Sequence, residues 1–402
     1  MMTKAYDQLA DRTSHLVPEG AYFFLAKAQQ MEAKGREIIH LEIGQPDFQT
    51  FDNIGMAGIR AITTGQTRYT PPAGIPPLRE AIARYSGERI NMTFSADQVA
   101  VGPGAKPLLF FPMMALLEPG DEVIYPDPGF PSYRAIIETM GAKPIPIPLK
   151  EEKEFSFDMD EFMKKINPRT RLVIINSPSN PTGGIIPKKD LETIANATIK
   201  NDCWVLSDEI YTRLTYTKEP VKSIMTFPGM AERTILMDGF SKTYAMTGWR
   251  LGYAVMPKHL ADAVGLLLTH SVGCTATFTQ IAGIEALEGP QEQVEKVRQV
   301  FHKRRDVIVK GLNDIPGITC QMPQGAFYVF PNIKHFGRTS DDLANYLLQE
   351  AGVCVLPGTS FGQMGEGYLR LCYANSIEAI EKALEKMKNA LGSLGLRAQG
   401  IG

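Results

Sequence analysis

Between Arg171 and Asp238 the chain alternates short, almost unbroken apolar runs with a stretch of helical spacing: RLVIIN (171–176), an amphipathic pattern around Leu191–Ile199, CWVLS (203–207) and TILMD (234–238). Runs this short and apolar, rich in Val, Ile and Leu, predict strands buried on both faces. Strands alternating with helices predict a mostly parallel sheet with helices on both sides, the α/β class. Upstream, QVAVGPGAKPLLFF (98–111) reads as a strand, a glycine turn and an apolar helix. RYTPPAGIPPLREAIARY (68–85) reads as a rigid proline turn before an amphipathic helix with Leu78, Ala81, Ile82 and Tyr85 on one side. Tyr22–Lys34 carries apolar residues at helical spacing and Gly35 stops it; the strand-like IIHLEIGQPDF (38–48) follows.

From about Gln291 the pattern changes to a charge-rich amphipathic helix (QEQVEKVRQVFHKRRDVIVKGLNDI). GAFYVF, a helix near Leu343–Glu350, VCVLPG, YLRLCYA and a closing helix Ile377–Leu391 come after it. These predict a smaller α+β layer. The expected organisation is a large domain over residues 47–290, with residues 1–46 and 291–402 forming the small one. The last eleven residues, GSLGLRAQGIG, are expected to fray.

Composition narrows the function classes. A chain of 402 residues exceeds one compact core of ordinary size. Its 42 basic and 44 acidic residues give no bulk field to recruit nucleic acid or an anionic membrane, so small-molecule partners are expected. The five cysteines (203, 274, 320, 354, 372) are scattered, with neither C-x-x-C nor a zinc-type spacing, which predicts reduced thiols, a cytoplasmic location and no metal site. The N-terminus MMTKAYDQLADRTSHL lacks a signal-type apolar region. The longest apolar run, Leu108–Leu117, is half of the ~20 residues a membrane span needs.

The candidate chemistry gathers at predicted strand ends, where parallel sheets bind ligands. Asn180 lies shortly after RLVIIN, Asp208 just after CWVLS, and Lys242 just after TILMD. A lysine that must act as a neutral nucleophile needs desolvation or cationic neighbours, and Ser241, Tyr244, Met246 and Trp249 could supply a pocket for it. The turn of Gly104, Ala105 and Lys106 precedes a helix N-terminus, where backbone N–H groups and the dipole favour a phosphate. The dinucleotide fingerprint and the nucleoside-triphosphate loop are both absent from the sequence. Read alone, Asp208 is equally a helix N-cap, N-P-T-G an ordinary turn, and Phe130 a core residue.

Taken together, GFSKTYAMTGWRLG (239–252), SPSNPTGG (177–184), LSDEIY (206–211), the Y-x-P-x-x-G turn at Tyr69 and YLRLCYA (368–374) resemble the pyridoxal-phosphate aminotransferases of the aspartate aminotransferase superfamily, fold type I. The resemblance runs from about Ile43 to Arg370. It implies pyridoxal 5'-phosphate carried covalently on Lys242 and Asp208 beneath the ring nitrogen. It also implies Asn180 and Tyr211 at the ring oxygen, Phe130 stacked on the ring, and Gly104, Ala105, Lys106 and Arg250 at the phosphate. Tyr69 would reach the phosphate site of the other subunit, which makes the expected assembly a homodimer with shared active sites. Arg370 would grip the substrate α-carboxylate by a two-point fork, with Gly44, Asn180 and Phe327 beside the substrate. Gly239 stands where many relatives have a phosphate-binding serine.

The implied activity moves the α-amino group of an amino acid to a 2-oxo acid, 2-oxoglutarate or pyruvate, by a ping-pong mechanism in which Lys242 also relays the α-proton. Lys106 sits where some prokaryotic aspartate aminotransferases place a lysine near the distal carboxylate, favouring aspartate or glutamate. Glu19, in the covering segment VPEGAYFF, would repel a dicarboxylate and keeps alanine or aromatic donors open. A lyase or cyclase using the same cofactor on the same fold would keep every cofactor residue.

Overall fold

In the computed structural model, which describes residues 9–13 and 16–398, twelve strands form three sheets. In chain order they are β1 (Ile39–His40), β2 (Val99–Gly102), β3 (Glu122–Asp127), β4 (Lys143–Pro148), β5 (Thr170–Asn176) and β6 (Trp204–Asp208). Then come β7 (Thr234–Gly239), β8 (Gly252–Val255), β9 (Tyr328–Val329), β10 (Val353–Cys354), β11 (Leu356–Pro357) and β12 (Leu369–Cys372).

The main sheet has seven strands in the order β2, β8, β7, β6, β5, β3, β4. All neighbours are parallel except around β8, which runs antiparallel to both β2 and β7. Every residue of β2, β3, β7 and β8 is buried, as expected of a sheet with both faces covered by helices. The α/β reading therefore holds. The pattern gave no warning of β4: its sequence KPIPIP carries three prolines, and it pairs only with β3 at the sheet edge, where a missing N–H leaves no ladder bond unmade.

Because β2 and β7 are both antiparallel to β8, strands β2, β5, β6 and β7 point the same way and their carboxyl ends share one edge. The helix Pro107–Leu116 follows β2 there, entered through Pro107 at its first position. Residues before and after this sheet meet elsewhere: β1 pairs in parallel with β10, and β11, β12 and β9 form a three-stranded antiparallel sheet. The run VCVLPG is not one strand. It breaks at Val355 and serves two sheets. The helices Glu292–Asn313 and Ile377–Ala398 pack together beside them. The second of these continues through the glycines expected to fray as far as Ala398, and residues 399–402 lie outside the described part.

Candidate active site

At the carboxyl end of β5, Asn176 joins two segments. Its amide nitrogen donates to the Asp208 carbonyl (3.0 Å), and its amide oxygen accepts the Asn180 N–H (2.8 Å). Asp208 is the last residue of β6 and is buried. Its carboxylate accepts from the Tyr133 hydroxyl at 2.5 Å and from the Ile210 N–H at 3.3 Å. Burial pushes its pKa up to about 6, against the pull of those two donors toward the ionised form.

Lys242 lies in the short helix Phe240–Thr243 that follows β7 directly. Its ammonium donates to the Gly44 carbonyl (2.6 Å) and sits 5.8 Å from the Phe327 ring centroid. Burial pulls its pKa down to about 8; the Arg370 and Arg250 guanidinium groups push the same way, while Asp208 opposes them. Phe327 is fully buried and stacks on Phe301 (5.2 Å). Tyr211 meets the Phe327 ring edge-on at 5.6 Å and shares a 2.9 Å hydrogen bond with the Tyr328 hydroxyl.

The turn after β2 is built for close approach. Gly104 adopts φ +94° and its N–H turns back to Gly102 O (2.7 Å). A β-carbon on Gly104 would collide with the Arg250 guanidinium, and one on Gly252 would meet the Ala105 N–H nitrogen at 2.5 Å. Arg250, itself in the left-handed region at φ 56°, is exposed and donates to Thr247 O (2.8 Å). The following helix opens on Pro107, which has no N–H, and the Leu108 and Leu109 N–H groups turn back to the Ala105 and Lys106 carbonyls (2.9 and 3.0 Å), so the donors beside Arg250 are the N–H groups of Ala105 and Lys106, just ahead of the helix. At Gly239 a β-carbon would sit tightly against Ile210 Cδ1 at 3.0 Å and Gly252 Cα at 3.4 Å.

Arg370 in β12 is buried. One terminal nitrogen donates to the Glu42 carbonyl, its Nε has no hydrogen-bond partner among the described residues, and its guanidinium lies 4.7 Å from the Tyr328 ring centroid and 5.0 Å from that of Phe361. Gly44 packs against the Tyr328 hydroxyl so closely that a side chain would not fit. Phe130 packs edge-on against Tyr133 (5.6 Å), and the Lys106 ammonium lies 5.3 Å from the Phe130 ring centroid. That ammonium is ion-paired with Glu19 and does not turn toward Arg250.

Contacts and charge coupling thus link Lys242, Gly44, Phe327, Tyr211, Asp208, Asn180 and Arg370, with Gly104 and Arg250 at one end and Phe130 and Lys106 at another. Tyr69 stands apart, 97% exposed on the surface. The sequence reading missed Tyr133 and Tyr328. Tyr133 had one available signal, its position three residues after Phe130, which places both on one side of a helical turn. It also missed a buried cluster next to the strand ends. Arg89 is ion-paired to Glu209 at 2.7 Å, and Glu209 also accepts from Ser207 (3.0 Å) and Ser223 (2.6 Å). Asp238, four residues before Lys242, accepts from the Gly239 N–H (2.6 Å); burial pushes its pKa up to about 7, with Arg89 holding it down. Among the described residues no group of His, Cys, Asp and Glu could hold a metal ion, and no helix is long and apolar enough to cross a membrane.

The sheet brings a lysine whose pKa burial lowers, a buried carboxylate and a glycine turn beside an arginine to one edge, the ligand-binding edge of an α/β enzyme. Residues 36–387 match the family of class I and II aminotransferases, and the chain belongs to it. It is therefore a transferase of a family that works with pyridoxal phosphate. It is 43% identical over 361 residues to an aspartate aminotransferase of Pyrococcus horikoshii, covering 89% of this chain and 92% of that one. It is 38% identical over 386 residues to aromatic-amino-acid aminotransferase 2 of Thermococcus litoralis, covering 95% and 98%. Among solved structures, aspartate aminotransferase from Thermus thermophilus with maleate superposes with a TM-score of 0.91 at 36% identity, over 95% of this chain and 99% of that one.

Proposed function

We propose that this aminotransferase takes aspartate or glutamate as its amino donor and 2-oxoglutarate or pyruvate as acceptor, with pyridoxal 5'-phosphate carried on Lys242. The observation that carries the reading is the partly buried Lys242 ammonium, hydrogen-bonded to Gly44 O at 2.6 Å, lowered to about 8 and charge-coupled to Arg370 and Asp208. An amine lowered to about 8 is roughly one-fifth neutral near pH 7.4, against about one part in a thousand for an ordinary lysine, and is available as nucleophile and base.

The residues fit the cofactor. Asn180 has a buried side-chain oxygen without a hydrogen-bond partner, the glycines at 104 and 252 let the turn, the Arg250 guanidinium and the Ala105 N–H come together where a β-carbon would collide with them, and Arg250 beside Gly104 supplies a positive charge. Arg250 and the N–H groups of Ala105 and Lys106 would hold the phosphate. Phe130 would lie against the ring. Tyr211 and Asn180 would hydrogen-bond its oxygen, and Asp208, kept ionised by Tyr133, would keep a proton on its nitrogen. When bound, the cofactor supplies an electron sink that stabilises negative charge at the substrate α-carbon. Arg370 binds the substrate α-carboxylate through its remaining N–H groups, and the aromatic walls of Tyr328 and Phe361 keep that contact dry, which strengthens it. Lys242 Nζ then takes the α-proton and returns it as the amino group leaves the substrate. The same residues acting in reverse order on a 2-oxo acid complete a ping-pong cycle.

A second reading, alanine or an aromatic donor, is favoured by one contact: the Lys106 charge is already matched by Glu19. The assay is a panel of amino donors against 2-oxoglutarate and pyruvate. Keto acid must form in step with consumption of the added acceptor; keto acid or other product formed without an acceptor would mean a lyase or cyclase.

We also read residues 47–290 as the large cofactor domain and residues 1–46 with 291–402 as the small one, supported by the pairing of β1 with β10. Met56, Ile59 and Ile62 lie along one side of the helix Asp52–Thr63 and are each about half exposed. With exposed Tyr69 they support a homodimer in which Tyr69 serves the partner's phosphate site. The five unpaired cysteines support a cytoplasmic location.

A further inference from the structure

Lys106 lies over the Phe130 ring, 5.3 Å from its centroid, and its ammonium is committed. Glu19 forms an ion pair with it, and the same Glu19 oxygen accepts from the Ser132 hydroxyl at 3.3 Å. Glu19 immediately precedes the helix Gly20–Glu32 but makes no capping bond to it, so its carboxylate is spent across the pocket and not on its own helix. The start of that helix is pinned: Gly20 lies so close to Ser360 that a β-carbon would collide with the Ser360 hydroxyl. Phe361, one residue further, packs on Arg370. The site proposed above therefore has two cationic positions. Arg370 keeps a buried Nε without a partner among the described residues, whereas Lys106 has its counter-ion built in.

We propose that Glu19 is a specificity-determining residue: as the fixed counter-ion of Lys106 it masks a handle for a second carboxylate, so that the pocket accepts uncharged amino acids as well as dicarboxylic ones. A dicarboxylic substrate must displace Glu19 from Lys106 to use that handle. An uncharged side chain leaves the pair intact and lies against Phe130. The inference rests on the aminotransferase reading for its meaning, but not for its test.

Both side chains of the pair are partly exposed, 49% for Lys106 and 27% for Glu19, so screening limits the effect to about tenfold or less. The test measures binding of two unreactive acids to the holoenzyme by titrating its visible absorbance: maleate, with two carboxylates, and 3-phenylpropionate, with one. In Glu19→Gln, maleate should bind ~3- to 10-fold more tightly while 3-phenylpropionate is unchanged. Lys106→Met should weaken maleate binding, and adding Glu19→Gln to Lys106→Met should then have a smaller effect than Glu19→Gln alone, since only the direct repulsion of maleate by Glu19 is left to remove. The kcat/KM ratio of aspartate to phenylalanine should follow the maleate result. Unchanged maleate affinity in Glu19→Gln, equal changes for both acids, or an undiminished Glu19→Gln effect in the Lys106→Met background each overturns the proposal. If the protein binds both acids but transfers no amino group, the proposed activity is wrong, and the affinity ratio still decides the role of Glu19.

Discussion

Replacing Tyr133 with phenylalanine removes one oxygen atom and leaves the ring in its buried place. That oxygen is the shorter of the two donors that keep the Asp208 carboxylate ionised, at 2.5 Å against 3.3 Å for the Ile210 N–H. A hydrogen bond to a charged group contributes roughly 1.5–3 kcal/mol. One pKa unit corresponds to about 1.4 kcal/mol, so its loss should raise the Asp208 pKa by ~1–2 units. Burial has already brought it to about 6, so the variant should titrate between about 7 and 8. At pH 7 the wild-type carboxyl is then about nine-tenths ionised and that of the variant half or less. The direct assay is carbon-13 NMR of the cofactor-free protein labelled at the aspartate carboxyl carbons, with Asp208→Asn to assign the resonance. The stability consequence has a definite sign. Asp208 binds its proton more tightly folded than unfolded, so folding loses stability as pH rises from its ordinary value of 3.8 to about 6. In Tyr133→Phe that loss should continue to about pH 7–8. A titration midpoint that stays near 6 would refute the view that Tyr133 sets the charge of Asp208.

Lys242 should react with an amine-directed reagent in the cofactor-free protein with a midpoint near pH 8, rising from pH 7 to 9, and borohydride reduction of the holoenzyme should leave the cofactor on this residue; an adduct mapped to Lys106 defeats the assignment. Arg370→Lys keeps the charge but loses the fork, so kcat/KM for every amino acid should fall ~10- to 150-fold, the kinetic equivalent of one charge-assisted hydrogen bond, with an unchanged circular dichroism spectrum; a fall confined to dicarboxylates would move the α-carboxylate elsewhere. Arg89→Leu strands Glu209 beside Asp238 in the interior and should destabilise the protein by about 3–5 kcal/mol, read as a lowered urea midpoint, and an unshifted midpoint would show the cluster to be solvated. Mixing Lys242→Ala chains with Tyr69→Phe chains should restore activity above either parent, because one site of the hybrid is intact if Tyr69 acts across the interface; mixing with Arg370→Ala chains should not, and equal behaviour of the two mixtures counts against a shared site.

Much of this molecule is legible in its sequence alone. The strands β5, β6 and β7 were readable because a strand covered on both faces must be apolar at nearly every position, and that demand is local. Lys242, Asp208 and Asn180 were readable because parallel strands place their carboxyl ends on one edge, so a polar residue just past an apolar run already has an address. β4 was not legible: three prolines argue against a strand until the sheet edge makes their missing N–H groups harmless. The split of VCVLPG between two sheets was hidden for the same reason, since which partner a strand finds is a property of distant residues.

The chemical tuning of the site belongs to the tertiary structure alone. Lys242 falls to about 8 and Asp208 rises to about 6 because each is taken out of water, and burial depends on what packs over a residue. Tyr133 meets Asp208 across 75 positions of chain, and Lys106 meets Glu19 across 87. The sequence by itself determined the kinds of residue at the strand ends, and with the motifs around them membership of the class I and II aminotransferases. Which tyrosine holds the carboxylate, which carbonyl receives the lysine, and whether the Lys106 charge is free or matched were decided by folding, because hydrogen bonds and ion pairs act over a few ångströms of space and carry no mark in sequence distance.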